Sequence, residues 1–212
     1  EVDIILAEDT RQTQKLTKHY GIDKMLWSHH KFNEHKATDS IIQKLKAGTN
    51  FALVSDGGTP GISDPAFYLV RECLKNEIKV ECLPGATAFV PALINSGLPT
   101  NRFCFEGFLP LKKGRHTILT ALANEPRTMI FYESPVRLLK TLLQFIEYFG
   151  ESRQCCVSRE LSKKFEENKH GTLREVHDHF ASKSIKGEIV ITVEGKPHDK
   201  HKVINEDDAL EN

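Results

Sequence analysis

Phe51-Ala52-Leu53-Val54-Ser55-Asp56-Gly57-Gly58-Thr59-Pro60-Gly61-Ile62-Ser63-Asp64-Pro65 is the stretch on which the fold turns. Its first four residues read as a short buried strand, and a helical pattern follows the segment to residue 76. Between them, three glycines, two prolines and two aspartates crowd into eleven residues. A strand, a tight loop and a helix in succession are the unit of an open α/β sheet, where ligands bind beyond the carboxyl ends of strands. Glycines in such a loop take positive φ and let the backbone approach a ligand closely. The spacing is neither G-x-G-x-x-G nor G-x-x-x-x-G-K-[ST], which excludes the dinucleotide and P-loop readings. Asp56 and Asp64 suit a cationic ligand better than a phosphate. An ordinary turn-rich connection with capping aspartates would account for the same composition.

The rhythm extends in both directions. Strands are expected at 4–7, 25–28, 51–54 and 78–83, with helices at 11–20, from 33 to 48, up to 76, and from 87 to Gly97. Turn residues cluster at Leu98-Pro99-Thr100-Asn101. Beyond them come strands at 102–108, 128–132, 155–158 and 188–193, helices at 116–124, 135–149 and 173–181, and a basic loop at 109–115. This predicts a two-lobed α/β chain, with a parallel-sheet lobe at residues 1–98, a mixed-sheet lobe at 99–195 and a polar tail at 196–212. The chain opens Glu1-Val2-Asp3 without methionine and is already apolar by Ile4, so an N-terminal piece is expected to be missing.

Composition narrows the function classes. The 212 residues are 39% apolar and 27% charged, and 29 basic side chains balance 29 acidic ones. Disordered, collagen-like and membrane-spanning chains are excluded. Overall charge supplies no attraction for nucleic acid, so any polyanion site has to be local. Cys73, Cys82, Cys104, Cys155 and Cys156 form no C-x-x-C pair, and each lies in an apolar stretch. They read as buried thiols in a reducing compartment, and with no secretory pattern this points to the cytoplasm. Of ten histidines, the pairs His29-His30, His177 with His179, and His198 with His201 make no zinc-type set with cysteine, so no metal is expected.

The loop, read with its neighbours, resembles the S-D-x-G-T-P-x-[IS]-x-D-P signature of the tetrapyrrole methylase superfamily, in its ribosomal RNA small-subunit methyltransferase branch. Further segments agree in order: Ala7-Glu8-Asp9-Thr10-Arg11, His30 with Asn33-Glu34, Leu83-Pro84-Gly85, Arg102 through Pro110, Pro126 through Ser134, Gly150-Glu151-Ser152-Arg153, Arg159-Glu160-Leu161, and Gly187-Glu188 through Gly195. The resemblance spans residues 2–195. It implies S-adenosylmethionine as methyl donor and the 2′-hydroxyl of a decoding-centre cytidine in 16S rRNA as acceptor. It also implies a homodimer and a donor cleft between two α/β halves. Members begin with a further strand and a T-P-I-G-N-type loop, and many carry a small basic C-terminal domain; neither has a counterpart here.

Carried over by position, the resemblance gives Asp56, Gly57, Gly58, Thr59, Pro60 and Ile62 as the donor loop, with Thr87 and Ala88 at the helix start after Pro84-Gly85. Glu133 stands where relatives place an apolar residue near the adenine, and Val157 lies on an adjacent strand. Thr87 reads equally as a helix N-cap, and Val157 as simple core. Transfer to a ribose hydroxyl needs in-line approach and removal of a proton. Asp9, which directly follows a strand, is the first choice of base, with Glu8, Glu34 and Glu133 behind it; capping the next helix is its alternative role. Arg11 would orient that carboxylate or hold a phosphate. Lys112, Lys113, Arg115, Arg137 and Arg159 are the other candidates for gripping the RNA backbone, with solvated loops as the alternative for the two lysines. Two competing functions use the same residues: methylation of a porphyrin- or corrin-like molecule, and a non-catalytic binding module.

Overall fold

In a computed structural model of the chain, residues 2–30 and 33–197 are described. The chain divides into two compact units, Glu1–Thr87 and Ala88–Asn212. The expected tail from residue 198 on, with His198 and His201, lies outside the described residues. Among the described residues no helix is long and apolar enough to cross a membrane.

The first unit runs β1 (Ile4–Ala7), α1 (Thr10–His19), β2 (Met25–Ser28), α2 (Glu34–Lys46), β3 (Phe51–Val54) and α3 (Phe67–Lys75). Its three strands form a parallel sheet in the order β2-β1-β3, with Ala7 level with Ser28 and Val54. β1 is apolar at all four positions because it is the central strand. The apolar face of α2, through Ile41 and Ile42, packs with Leu6 and with Leu69 and Cys73 of α3.

The second unit runs α4 (Phe89–Ser96), β4 (Phe103–Phe108), α5 (Arg115–Leu122), β5 (Thr128–Glu133), α6 (Leu138–Phe149), β6 (Gln154–Arg159), β7 (Glu167–Thr172), α7 (Leu173–Ala181) and β8 (Ile189–Val193). Its mixed sheet has the order β4-β5-β8-β6-β7, with β4 and β5 parallel and the other pairs antiparallel. Phe131, Phe145 and Phe180 are almost wholly buried in its main core. Each such ring contributes roughly 1.5–3 kcal/mol of apolar burial.

The structure corrects two expectations of secondary structure. Residues 78–83 form no strand, although they alternate apolar and polar. Among the described residues the small sheet pairs only β1 with its two neighbours, and the segment finds no edge. Ile78 packs on the core, while Val80 and Leu83 face solvent. Conversely, Glu-Asn-Lys-His-Gly-Thr of β7 has no apolar alternation, yet it pairs with β6 along its whole length. It is the sheet's edge, where polar side chains discourage further pairing. Thr172, which ends it, also caps α7 in a reciprocal box with Glu175.

The five cysteines are free thiols; Cys73, Cys155 and Cys156 are buried, but Cys82 is exposed because it lies in the unpaired segment. Burial pushes the Cys155 thiol up to about 12.

Candidate functional site

The carboxyl edge of the small sheet gathers most of the candidate donor and catalytic residues. β1 and β3 are neighbours in register, so Glu8 and Ser55 leave the sheet side by side. The Asp56 amide donates to Glu8 Oε2 at 3.3 Å, which ties the loop to the end of β1. Ser55 Oγ donates to the Gly58 carbonyl at 3.1 Å and tightens the first turn. Gly58, Gly61 and Ser63 all take positive φ, at 79°, 90° and 68°. Three such residues in six make a sharply folded loop, and Ser63 holds a conformation uncommon outside glycine.

A second segment closes on this loop. The Thr59 amide and hydroxyl both donate to the Ala86 carbonyl, at 2.9 and 3.2 Å. Gly58 passes so close that a Cβ there would sit 2.6 Å from that oxygen. Gly58 is therefore required by contact between two backbone segments, a reason the sequence did not reveal. At Gly57 a Cβ would meet nothing within 4 Å, so its outer side is open. Asp56 and Ile62 are exposed, and Thr59 and Pro60 half-buried.

Asp9 is occupied. It caps α1 by accepting from the Arg11 amide at 2.9 Å, and the Arg11 guanidinium clasps both its oxygens at 3.0 and 2.6 Å. The Arg11 side-chain bonds, then its amide, hold the Asp9 carboxyl at about 2. A carboxylate held that low is a weak proton acceptor. Glu34 opens α2, with its carbonyl accepting from Thr38 Oγ1 at 2.7 Å. Close by in sequence, His29 is 1% exposed and neither ring nitrogen has a hydrogen-bond partner among the described residues. Burial lowers its pKa, which favours the neutral ring.

Asp64 is a loop carboxyl that the sequence does not mark out as a base. Burial, with the charges of Glu8 and Asp56, pushes its carboxyl up to about 6. It is thus the loop acid that titrates nearest neutrality, as acid–base groups do. The available signal was a second aspartate on a loop beside Glu8. Recognising it required knowing that it is partly buried within reach of the charges of Glu8 and Asp56.

Thr87 does not cap α4: Ala88 stands at the N-cap, and no side chain bonds there. Thr87 and Ala88 fall on either side of the division between the two units. Val157 is 0% exposed in the main core of the second unit, which is its core alternative.

In the second unit the cationic candidates divide. Lys112 and Lys113 are exposed on the loop after β4. Arg115 instead begins α5 and is buried, donating to Gln144 Oε1 at 2.8 Å, Thr141 Oγ1 at 2.8 Å and the Pro110 carbonyl at 3.1 Å. It thus fastens the loop, with three of its N–H donors bonded inside the protein. Arg159 is likewise held across the β6–β7 hairpin, donating to Glu167 Oε2 through Nε and Nη2 at 3.2 Å. Glu133, expected beside an adenine, has its carboxylate enclosed; both oxygens are taken by Ser134, Arg137 and Thr141. Arg137 is partly exposed beyond that ion pair.

Among the described residues no three His, Cys, Asp or Glu side chains gather as for a metal ion.

The profile of the tetrapyrrole (corrin/porphyrin) methylases matches residues 1–177, and the chain belongs to that family. Within it, the chain is 47% identical over 201 residues to the ribosomal RNA small subunit methyltransferase I of Synechocystis, covering 94% of this chain and 72% of that protein. The protein of the same name from Haemophilus influenzae is 46% identical, over 93% of this chain and 71% of its own. The fold is shared with the methyltransferase CobJ, at a TM-score of 0.62 and 17% identity over 92% of this chain and 95% of that one. It is shared too with uroporphyrin-III C-methyl transferase from Thermus thermophilus complexed with S-adenyl homocysteine, at 0.57 and 19% over 91% and 85%.

Proposed function

We propose that this chain is an S-adenosylmethionine-dependent methyltransferase of the small ribosomal subunit, acting on the 2′-hydroxyl of a cytidine in 16S rRNA. The observation that carries the reading is identity of 46–47% to two ribosomal RNA small subunit methyltransferases I over more than nine-tenths of the chain. A cytoplasmic homodimer belongs to the same reading.

The residues present fit the donor. Glu8 accepts from the Asp56 amide and Asp64 lies on the same loop, so their charge beside the open backbone face at Gly57 suits a sulfonium. When bound, S-adenosylmethionine supplies an electrophilic methyl group. Gly57, Gly58 and Thr59 would line it with backbone, and Ile62 would offer it an apolar side chain. Asp64, ionised above about pH 6, would accept the hydroxyl proton. Asp9 with Arg11 would hold the mouth of α1 in place.

Two substitutions test the reading. Asp9→Asn should leave single-turnover transfer to undermethylated small subunits within about threefold of the parent, since Asn caps a helix nearly as well as Asp. A fall of about 10²-fold would return Asp9 to the role of base. Reversing Lys112 and Lys113 to Glu should weaken binding to small subunits and flatten its salt dependence, with donor affinity unchanged. Loss of both affinities together would indicate a folding role, and intact subunit binding would overturn the RNA reading of this loop.

A further inference from the structure

β4 and β5 are parallel neighbours, with Phe108 level with Tyr132, so the two loops that follow leave the sheet together at its carboxyl edge. Phe108, the last residue of β4, is 52% exposed, its ring seated edge-on against Tyr132 at 5.6 Å. Lys112 and Lys113 stand on the first loop and Arg137 just after the second. An exposed aromatic face beside separated cations is the chemistry that holds single-stranded RNA: the ring stacks a base and the cations follow the backbone.

Glu133 holds these parts in place. Its carboxylate is 1% exposed at the end of β5; Oε1 takes the Ser134 amide at 2.7 Å and Arg137 Nη2 at 2.6 Å, and Oε2 takes Thr141 Oγ1 at 2.7 Å. Thr141 Oγ1 in turn receives Arg115 Nη2, and Arg115 holds the Pro110 carbonyl. One buried charge thus fixes both loops. Leaving Arg115 and Arg137 without it would strand two cations, one of them buried. Arg115 sits at the start of α5, where the helix dipole disfavours a cation, so this anchorage has to outweigh that.

We infer that the carboxyl ends of β4 and β5 form a preorganised site for single-stranded RNA, in which Phe108 stacks one unpaired base, Lys112, Lys113 and Arg137 hold flanking phosphates, and Glu133 is the positioning residue. The inference rests on the RNA reading above and assigns it a place and a strand state.

The test uses the full chain with a short unstructured oligouridine and an abasic ribose-phosphate oligomer of the same length. Phe108→Ala should weaken oligouridine binding about tenfold, the scale of base–aromatic stacking, without changing the salt slope. Phe108→Tyr should restore it. The parent chain should prefer oligouridine to the abasic oligomer, and Phe108→Ala should lose that preference. Glu133→Gln should also weaken oligouridine binding, by less when Arg137 is already Gln, because the two act as a pair. Parent-level binding by Phe108→Ala, or equal binding of both oligomers by the parent, overturns the inference while salt-dependent binding to small subunits preserves the RNA reading. If the parent binds neither oligouridine nor small subunits, the RNA reading falls with it.

Discussion

Replacing Gly58 by valine is expected to abolish donor binding, with a loss of at least about 100-fold in calorimetric affinity for S-adenosylmethionine. Two physical effects act together. A φ of 79° is strained for any β-branched side chain, and the new Cβ would lie 2.6 Å from the Ala86 carbonyl oxygen. The contact has to open, and with it go the paired bonds from Thr59 to Ala86 that shape the loop. Gly57→Ala is the milder companion, because its φ is not positive and its Cβ meets no protein atom, only the space the donor would fill. It should keep the fold intact and lower donor affinity by less than Gly58→Val does. Parent-level affinity in a folded Gly58→Val chain would remove this loop from the donor site.

Asp64→Asn should lower the single-turnover transfer rate by about 10²-fold at neutral pH with donor saturating, the usual share of a general base. The parent rate should climb as pH rises through about 6, because the carboxyl must lose its proton before it can accept another, and then level off. The Asn variant should show no such rise. Stability gives an independent reading with its own sign. The folded chain raises the Asp64 pKa above its ordinary value, so it binds that proton more tightly than the unfolded chain does. The favourable contribution is complete at low pH and is lost as pH rises through about 6. Asp64→Asn should therefore raise Tm more at pH 8 than at pH 5. A rate within about threefold of the parent would transfer the role to Glu34.

These two experiments address a site that was half readable beforehand. The loop at 55–65 announces itself because glycine, proline and aspartate at a strand's end report on the local backbone, and little else produces that composition. Asp9 and Asp64 are both aspartates on segments that leave the small sheet, and their surroundings send them opposite ways. A guanidinium two residues away holds Asp9 at about 2, whereas burial and two carboxylates lift Asp64 to about 6. The partner of Asp9 was visible as a neighbour in sequence. The partners of Asp64 come from the end of β1 as well as from its own loop.

The cations separate along the same line. Lys112 and Arg115 are three residues apart in one basic run, yet one is exposed and the other lies among Pro110, Thr141 and Gln144. Arg159 met Glu167 only because a polar segment became an edge strand. Residues 78–83 show the reverse, since alternation describes a strand but pairing requires an available edge.

By itself, then, the sequence determined most of the order of β and α segments, the α/β class, the tight loop after β3 and the family, since apolar periodicity and turn chemistry act over a few residues. Tertiary structure alone decided which charges are free, which carboxyl titrates near neutrality, why Gly58 must lack a side chain, and what Glu133 holds. Those properties depend on desolvation and on partners such as Arg115 and Thr141 or Gly58 and Ala86. Such partners lie tens of residues apart along the chain, and folding brings them within a few ångströms of each other.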